Sequence, residues 1–239
     1  MQKMAVVTGS AKGLGRAIAL ALASCEYTLV VHYHTSYQEA KKVLGQVRVQ
    51  APKSIMVAAD LKNEAEVKKM FELVIKKFRR IDLLVNNVGN FINKKFGQTS
   101  NSEFVDLVES NIYSTLFASR AVLPTMRRQK SGHIINIGAV GAERIQLTEK
   151  STPYFLAKNG IYVLTKAMAH EEAKNGIHIN MISPASLVTD IFGSSDFPMD
   201  RSASYDDVIK VLKFLISPEA NYINGANIEV AGAFIPGIV

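Results

Sequence analysis

The chain has 239 residues, 48% of them hydrophobic and 21% charged, with a formal net charge of +7. That size and balance are ordinary for one soluble domain with a well-buried core. No apolar run reaches membrane-spanning length, and the single cysteine, Cys25, excludes an intrachain disulfide and offers no metal cluster.

"MQKMAVVTGS" enters a strand-like run at once, so no signal peptide is expected. A reducing cytoplasm is the expected compartment, and no membrane partner is expected. "GLGRAIALALASC" then carries helical apolar spacing through Leu14, Ile18 and Leu22. "YTLVVHYH" reads as a strand and "SYQEAKKVLGQVRVQ" as a helix with Ser36 at its N-cap. "SIMVAA", the helix "NEAEVKKMFELVIKKF" and the strand "IDLLVNN" complete the first half. The cations of 68–80 alternate with Met70, Phe71, Val74, Ile75 and Phe78, the pattern of an amphipathic helix with a solvated basic face. No nucleic-acid motif accompanies them, so no nucleic-acid partner is expected.

The second half continues the alternation. A long helix is predicted from about Ser102 to Arg128, then the strand "GHIINIG", then the helix "PYFLAKNGIYVLTKAMAHEEAK" with Pro153 in its first turn. "GIHINMIS" is a strand, "SYDDVIKVLKFLIS" a helix, and "ANIEVAG" a last strand. Apolar strands separated by helices imply a parallel sheet buried on both faces. The expected fold is one Rossmann-type, doubly wound α/β/α domain of about seven strands spanning residues 1–239.

Four places carry chemistry. "TGSAKGLG" (8–15) lies between the first strand and first helix, where Gly9, Gly13 and Gly15 permit a tight turn. The helix N-terminus there, with Leu14 in its first turn, would offer free N–H groups to a pyrophosphate. "VVHYHTS" (30–36), at the end of the second strand, has no acid to bind a ribose 2′-hydroxyl. Lys12, His34, Thr35 and Ser36 would instead suit a 2′-phosphate, so the cofactor reading is NADP(H) rather than NAD(H). The alternative is that His32 and His34 are strand-edge residues with no ligand to bind. "NNVG" (86–89) puts Asn87 and Gly89 at the ligand edge of the sheet, and Asp60 with Leu61 stands there as a candidate adenine contact. Tyr154 and Lys158 are spaced to share one helix face. A nearby cation lowers a tyrosine from its usual value of about 10, so Tyr154 is expected to donate a proton to a carbonyl oxygen as hydride arrives.

Together, in order and over essentially the whole chain, these residues resemble the short-chain dehydrogenase/reductase family. "TGSAKGLG" is similar to its cofactor loop, "NNVG" to its Asn-Asn-Ala-Gly, and "PYFLAK" to its Tyr-x-x-x-Lys. The resemblance implies that Asn111, in "ESNIYSTL", anchors a relay water through the lysine. It also implies that Pro184, Leu187 and Thr189, in "NMISPASLVTD", border the nicotinamide. The layout resembles 3-oxoacyl-carrier-protein reductases, and "HYHTSYQEA" resembles pteridine reductases, which also prefer NADPH. A homotetramer or dimer is implied, with a small carbonyl compound as substrate.

One family residue is missing. The family's active-site Ser just past the fifth strand falls on Ala139, and the alternative spacing, thirteen before the tyrosine, falls on Gly141. The stretch to Tyr154 is about two residues longer than usual, and Glu143, Thr148, Ser151 and Thr152 are the candidates to reach inward. Residues 190–204, with Phe192, Phe197, Pro198 and Met199, suggest a small apolar lid. The expected function is NADP(H)-dependent carbonyl reduction. The alternatives are reduction of a pteridine-like C=N bond, or a catalytically impaired NADP(H) binder acting as sensor or partner subunit.

Overall fold

The computed structural model describes residues 2–144, 150–187 and 197–235. The strands are β1 (Met4–Val7), β2 (Thr28–Tyr33), β3 (Ile55–Ala58), β4 (Leu83–Asn86), β5 (Gly132–Ile137), β6 (Ile177–Pro184) and β7 (Asn227–Val230). All pair in parallel, in the order β3-β2-β1-β4-β5-β6-β7. The helices are α1 (Gly13–Ala23), α2 (Tyr37–Arg48), α3 (Glu64–Phe78), α4 (Asn101–Val108), α5 (Ser114–Gln129), α6 (Thr152–Glu172) and α7 (Tyr205–Leu215).

The sheet is apolar on both faces because it has a core on each. Alternate residues of a strand face opposite sides. Ala5, Val7, Leu29, Val31, Leu83, Val85, Ile135 and Ile137 join Ile18, Leu22, Val43 and Leu212 under α1, α2 and α7. Met4, Val6, Val30, Leu84 and Ile134 join Phe71, Val74, Val122 and Met126 under α3 and α5. Each fully buried Val, Leu, Ile, Met or Phe among them contributes about 1.5–3 kcal/mol. This is the sandwich that near-continuous apolar strands require, and it leaves β3 as a half-exposed edge.

Strand order reverses between β1 and β4, so their following loops diverge and open a crevice at the C-terminal edge. Helix starts follow local chemistry. The Asn63 side chain accepts from the Ala65 and Glu66 N–H groups, and Ser100 with Glu103 and Ser204 with Asp207 form capping boxes. Ser36 takes the N-cap position of α2, but its side chain caps nothing.

The long helix predicted from Ser102 is two α-helices joined by a π turn, Glu109–Tyr113, and it begins one residue earlier, capped by Ser100. The Ser114 hydroxyl donates to the Ser110 carbonyl at 2.5 Å, and Thr115 Oγ1 to the Asn111 carbonyl at 2.8 Å. These bonds occupy carbonyls in the turn where the i→i−4 ladder is interrupted.

Candidate functional site

The crevice is built first by its glycine loop. Gly9 and Gly13 have φ of +62° and +55°, left-handed values that favour glycine. A Cβ on Gly15 would stand 2.4 Å from the Gly9 carbonyl oxygen and 2.6 Å from Asn87 Nδ2. Helix α1 starts at Gly13 with Lys12 as an N-cap that makes no side-chain cap bond. The first-turn N–H groups therefore face the crevice without a side-chain cap, as an anion site needs. Leu14 is buried beneath them.

The loop is pinned from below by residues whose roles were not legible in sequence. Thr8 Oγ1 accepts from the backbone N–H groups of Asn87 (2.8 Å) and Val88 (3.2 Å). Asn87 Nδ2 donates back to the Thr8 carbonyl at 3.0 Å. Asn87 thus ties the β1 and β4 loops together. His32 is buried in the sheet rather than at a strand edge. Its Nδ1 accepts the Gly9 N–H at 2.9 Å, so Nε2 carries the proton and donates to the Ala59 carbonyl at 3.0 Å. Burial pushes the imidazole down to about 4, which keeps it neutral and able to accept.

Tyr154, Lys158, Asn111 and Gly89 converge at the β4–β5 end of the crevice. Lys158 is buried, 4% exposed, and its Nζ donates to the Ile137 carbonyl at 3.0 Å while lying 5.5 Å from the Tyr154 ring centroid. Burial lowers the ammonium from 10.5 to about 8. It also raises the Tyr154 phenol to about 12, opposite to the lowering expected from the lysine. The cation sits over the ring and bonds a carbonyl, and no described side chain hydrogen-bonds the phenol. The Phe91 ring stands edge to face with Tyr154 at 4.9 Å and is itself 52% exposed.

Asn111 lies in the π turn, fully buried. Its Nδ2 donates to the Asn90 and Leu107 carbonyls at 3.0 Å each, while its Oδ1 has no partner. A Cβ on Gly89 would fall 2.2 Å from that Oδ1 and 3.4 Å from Lys158 Nζ, so only glycine lets the β4 loop pass between them. A buried carbonyl oxygen left open beside an ammonium is a place for a bridging water or ligand hydroxyl.

The turn after β5 holds no hydroxyl at the expected place. Gly138 admits no side chain, since a Cβ would lie 2.0 Å from Met181 Cε and 2.4 Å from Ser183 Oγ. Ala139 is buried, and the Ser183 hydroxyl is committed to Asn227 Oδ1 at 2.6 Å. Glu229 of β7 straps this turn by accepting the Gly141 N–H and both bonds from Arg144 Nη2, all at 2.7 Å. Glu143, a candidate to reach inward, instead accepts from Asn227 Nδ2 at 3.2 Å. Thr152 is exposed at the start of α6. Ser151 is buried, has φ of +70° and makes no cap bond, while its N–H donates to the Lys94 carbonyl at 3.0 Å. Thr148, Thr189 and Phe192 lie outside the described residues.

At the far end, His34 and Thr35 are exposed at the close of β2 and Ser36 is half-buried. Glu39, in the first turn of α2, stands 3.4 Å from Lys12 Nζ. Asp60 Oδ1 accepts the Lys62 N–H at 3.0 Å, folding the turn after β3, and Leu61 is buried behind it. The Pro184 carbonyl accepts the Val140 N–H at 3.0 Å, and Leu187 bridges to Ala203. Phe197 packs on Phe234 with ring centroids 5.1 Å apart, so that end of the suggested lid rests on the C-terminal segment.

A doubly wound sheet with a glycine loop and a Tyr-x-x-x-Lys helix at its crevice defines a class, and residues 3–198 match the family model described as short chain dehydrogenase. The chain belongs to that family and is an oxidoreductase. It is 32% identical to the 3-oxoacyl-acyl-carrier-protein reductase FabG of Staphylococcus epidermidis, over 97% of this chain and 98% of that one. It is 30% identical to the 3-oxoacyl-acyl-carrier-protein reductase of Synechocystis, over 98% and 97%. The crystal structure of acetoin dehydrogenase from Enterobacter cloacae is similar with a TM-score of 0.89 at 27% identity, covering 98% of this chain and 96% of that one.

Proposed function

We propose that the protein reduces a carbonyl group at the expense of NADPH, with Tyr154 as the proton donor. The observation that carries this is the meeting of Tyr154, Lys158 and the open Asn111 Oδ1 around Gly89, at the same crevice as the uncapped α1 N-terminus. The likeness to two 3-oxoacyl-acyl-carrier-protein reductases supports a ketone, and a 3-oxoacyl thioester above all, as substrate.

The residues present suit a dinucleotide. Gly9, Gly13, Leu14 and Gly15 would hold the pyrophosphate through backbone N–H groups. Lys12, His34, Thr35 and Ser36 would face the 2′-phosphate, Asp60 and Leu61 the adenine, and Asn87, Gly89, Pro184, Leu187 and Thr189 the nicotinamide side. Bound NADPH supplies the hydride. Tyr154, held protonated by its burial, gives its proton to the substrate oxygen as negative charge develops there. The Lys158 ammonium, beside the tyrosine ring and next to Gly89, would grip the ribose and lower the phenol's cost of ionising once the tyrosine has given its proton. Asn111 Oδ1 would hold the water that returns a proton through Lys158. Ala139 contributes no hydroxyl to the substrate oxygen, and buried Ser151, three residues before Tyr154, is the described group best suited to do so.

A second reading has its own observation. Phe91 leaves half its ring exposed against Tyr154, a wall on which a flat heteroaromatic substrate could stack, and this favours reduction of a pteridine-like C=N bond. Consumption of NADPH with β-ketoacyl thioesters, simple ketones and dihydropterins separates the two. Thioester turnover supports the first reading, dihydropterin turnover the second. NADPH binding with turnover of neither supports the impaired binder. The protein is expected to work in the cytoplasm as a homo-oligomer, dimer or tetramer.

A further inference from the structure

We infer that Glu39 sets the protein's preference between NADPH and NADH by occupying the group that a 2′-phosphate needs. The inference rests on the cofactor reading above. Lys12 is the one cation of the glycine loop, and its Nζ lies 3.4 Å from Glu39 Oε1. Glu39 belongs to the first turn of α2, whose N-cap Ser36 provides no side-chain bond. The backbone N–H of Glu39 and the Lys12 ammonium hold the carboxylate below its ordinary range. One carboxylate thus serves both a loop cation and an otherwise uncapped helix N-terminus, the two features that attract an anion there.

The pair sits on the rim of an open groove of about 560 Å³ between α1 and α2, which Arg16 and Lys42 also line. The surroundings are basic, and Glu39 is the only acid among the lining residues. A 2′-phosphate must displace Glu39 from Lys12 and stand near its negative charge, whereas the 2′-hydroxyl of NADH needs no such displacement. Glu39 therefore acts against NADPH in particular. The pair is partly exposed, so the effect is one of moderate size rather than an absolute block.

The test is the dissociation constant of each reduced dinucleotide, read from nicotinamide fluorescence, for the wild-type chain, Glu39→Gln, and Glu39→Gln combined with Lys12→Met. In Glu39→Gln, NADPH is expected to bind about two- to fivefold more tightly with no gain for NADH, and the double variant is expected to lose the gain. Unchanged NADPH affinity in Glu39→Gln, or an equal gain for both dinucleotides, overturns the inference while the cofactor reading stands. A wild-type chain that binds neither dinucleotide removes both.

Discussion

Ser151 and Tyr154 show how far single residues were legible. Tyr154 and Lys158 share one helix, so their partnership is local and their spacing reveals it. Glu39 could not be read in the same way, because its partner Lys12 lies across the α1–α2 groove. His32 looked peripheral because nothing in its neighbours announces a Gly9 N–H and an Ala59 carbonyl on either side of the ring. The direction of the tyrosine shift was equally hidden, since burial is set by the whole fold. Ser151, proposed above to serve where Ala139 cannot, is held in a left-handed conformation at φ +70°. Ser151→Gly relieves that backbone strain by about 1 kcal/mol and removes the hydroxyl. It is expected to keep or raise the melting temperature while lowering kcat about 10²-fold, the usual size for one lost oxyanion donor. A variant as active as the parent would mean that Ser151 only ends a loop.

At the scale of elements, strands and helices followed from apolar spacing, and the main surprise was the π turn inside the helix predicted from Ser102 to Arg128. Periodicity does not register a single extra residue when the flanking turns stay helical. The local signals, Ser114 and Thr115 bonding back to the turn, are also ordinary helix residues. The turn matters because it carries Asn111, whose Oδ1 abuts Gly89. Gly89→Ala would force the β4 loop and the π turn apart. Overpacking of this kind costs about 1–3 kcal/mol. The variant is expected to melt lower and to lose at least about tenfold in kcat, because about 1.4 kcal/mol of lost transition-state stabilisation is already tenfold. Thermal melting with steady-state kinetics checks this, and wild-type kcat in Gly89→Ala would remove the site from the Asn111–Lys158 axis.

For the whole molecule, the parallel sheet was legible because both its faces are apolar, a pattern that strands facing solvent do not show. What sequence left open was how distant elements brace the crevice: Glu229 of β7 under the turn after β5, and His32 of β2 under the glycine loop. Buried His32 and half-buried His133 also give the molecule an acid limit. His32 and His133 are both pushed by burial from 6.5 to about 4 in the folded state. Between those values the unfolded chain binds protons that the folded chain does not, so their stabilising contribution is full above about pH 6.5 and is lost as pH falls through 4. Urea unfolding from pH 7 to pH 4 is expected to show this decline, and His32→Gln should flatten it. An unchanged slope in that variant would contradict a neutral His32 in the folded protein.

The central claim is proton donation by Tyr154, and the most direct measurement is turnover of NADPH by Tyr154→Phe with the best substrate of the carbonyl and dihydropterin panel. With Tyr154 as the acid, kcat falls by about 10²–10⁴, the usual contribution of a general acid, with NADPH still bound. Turnover equal to that of the wild-type protein would contradict it.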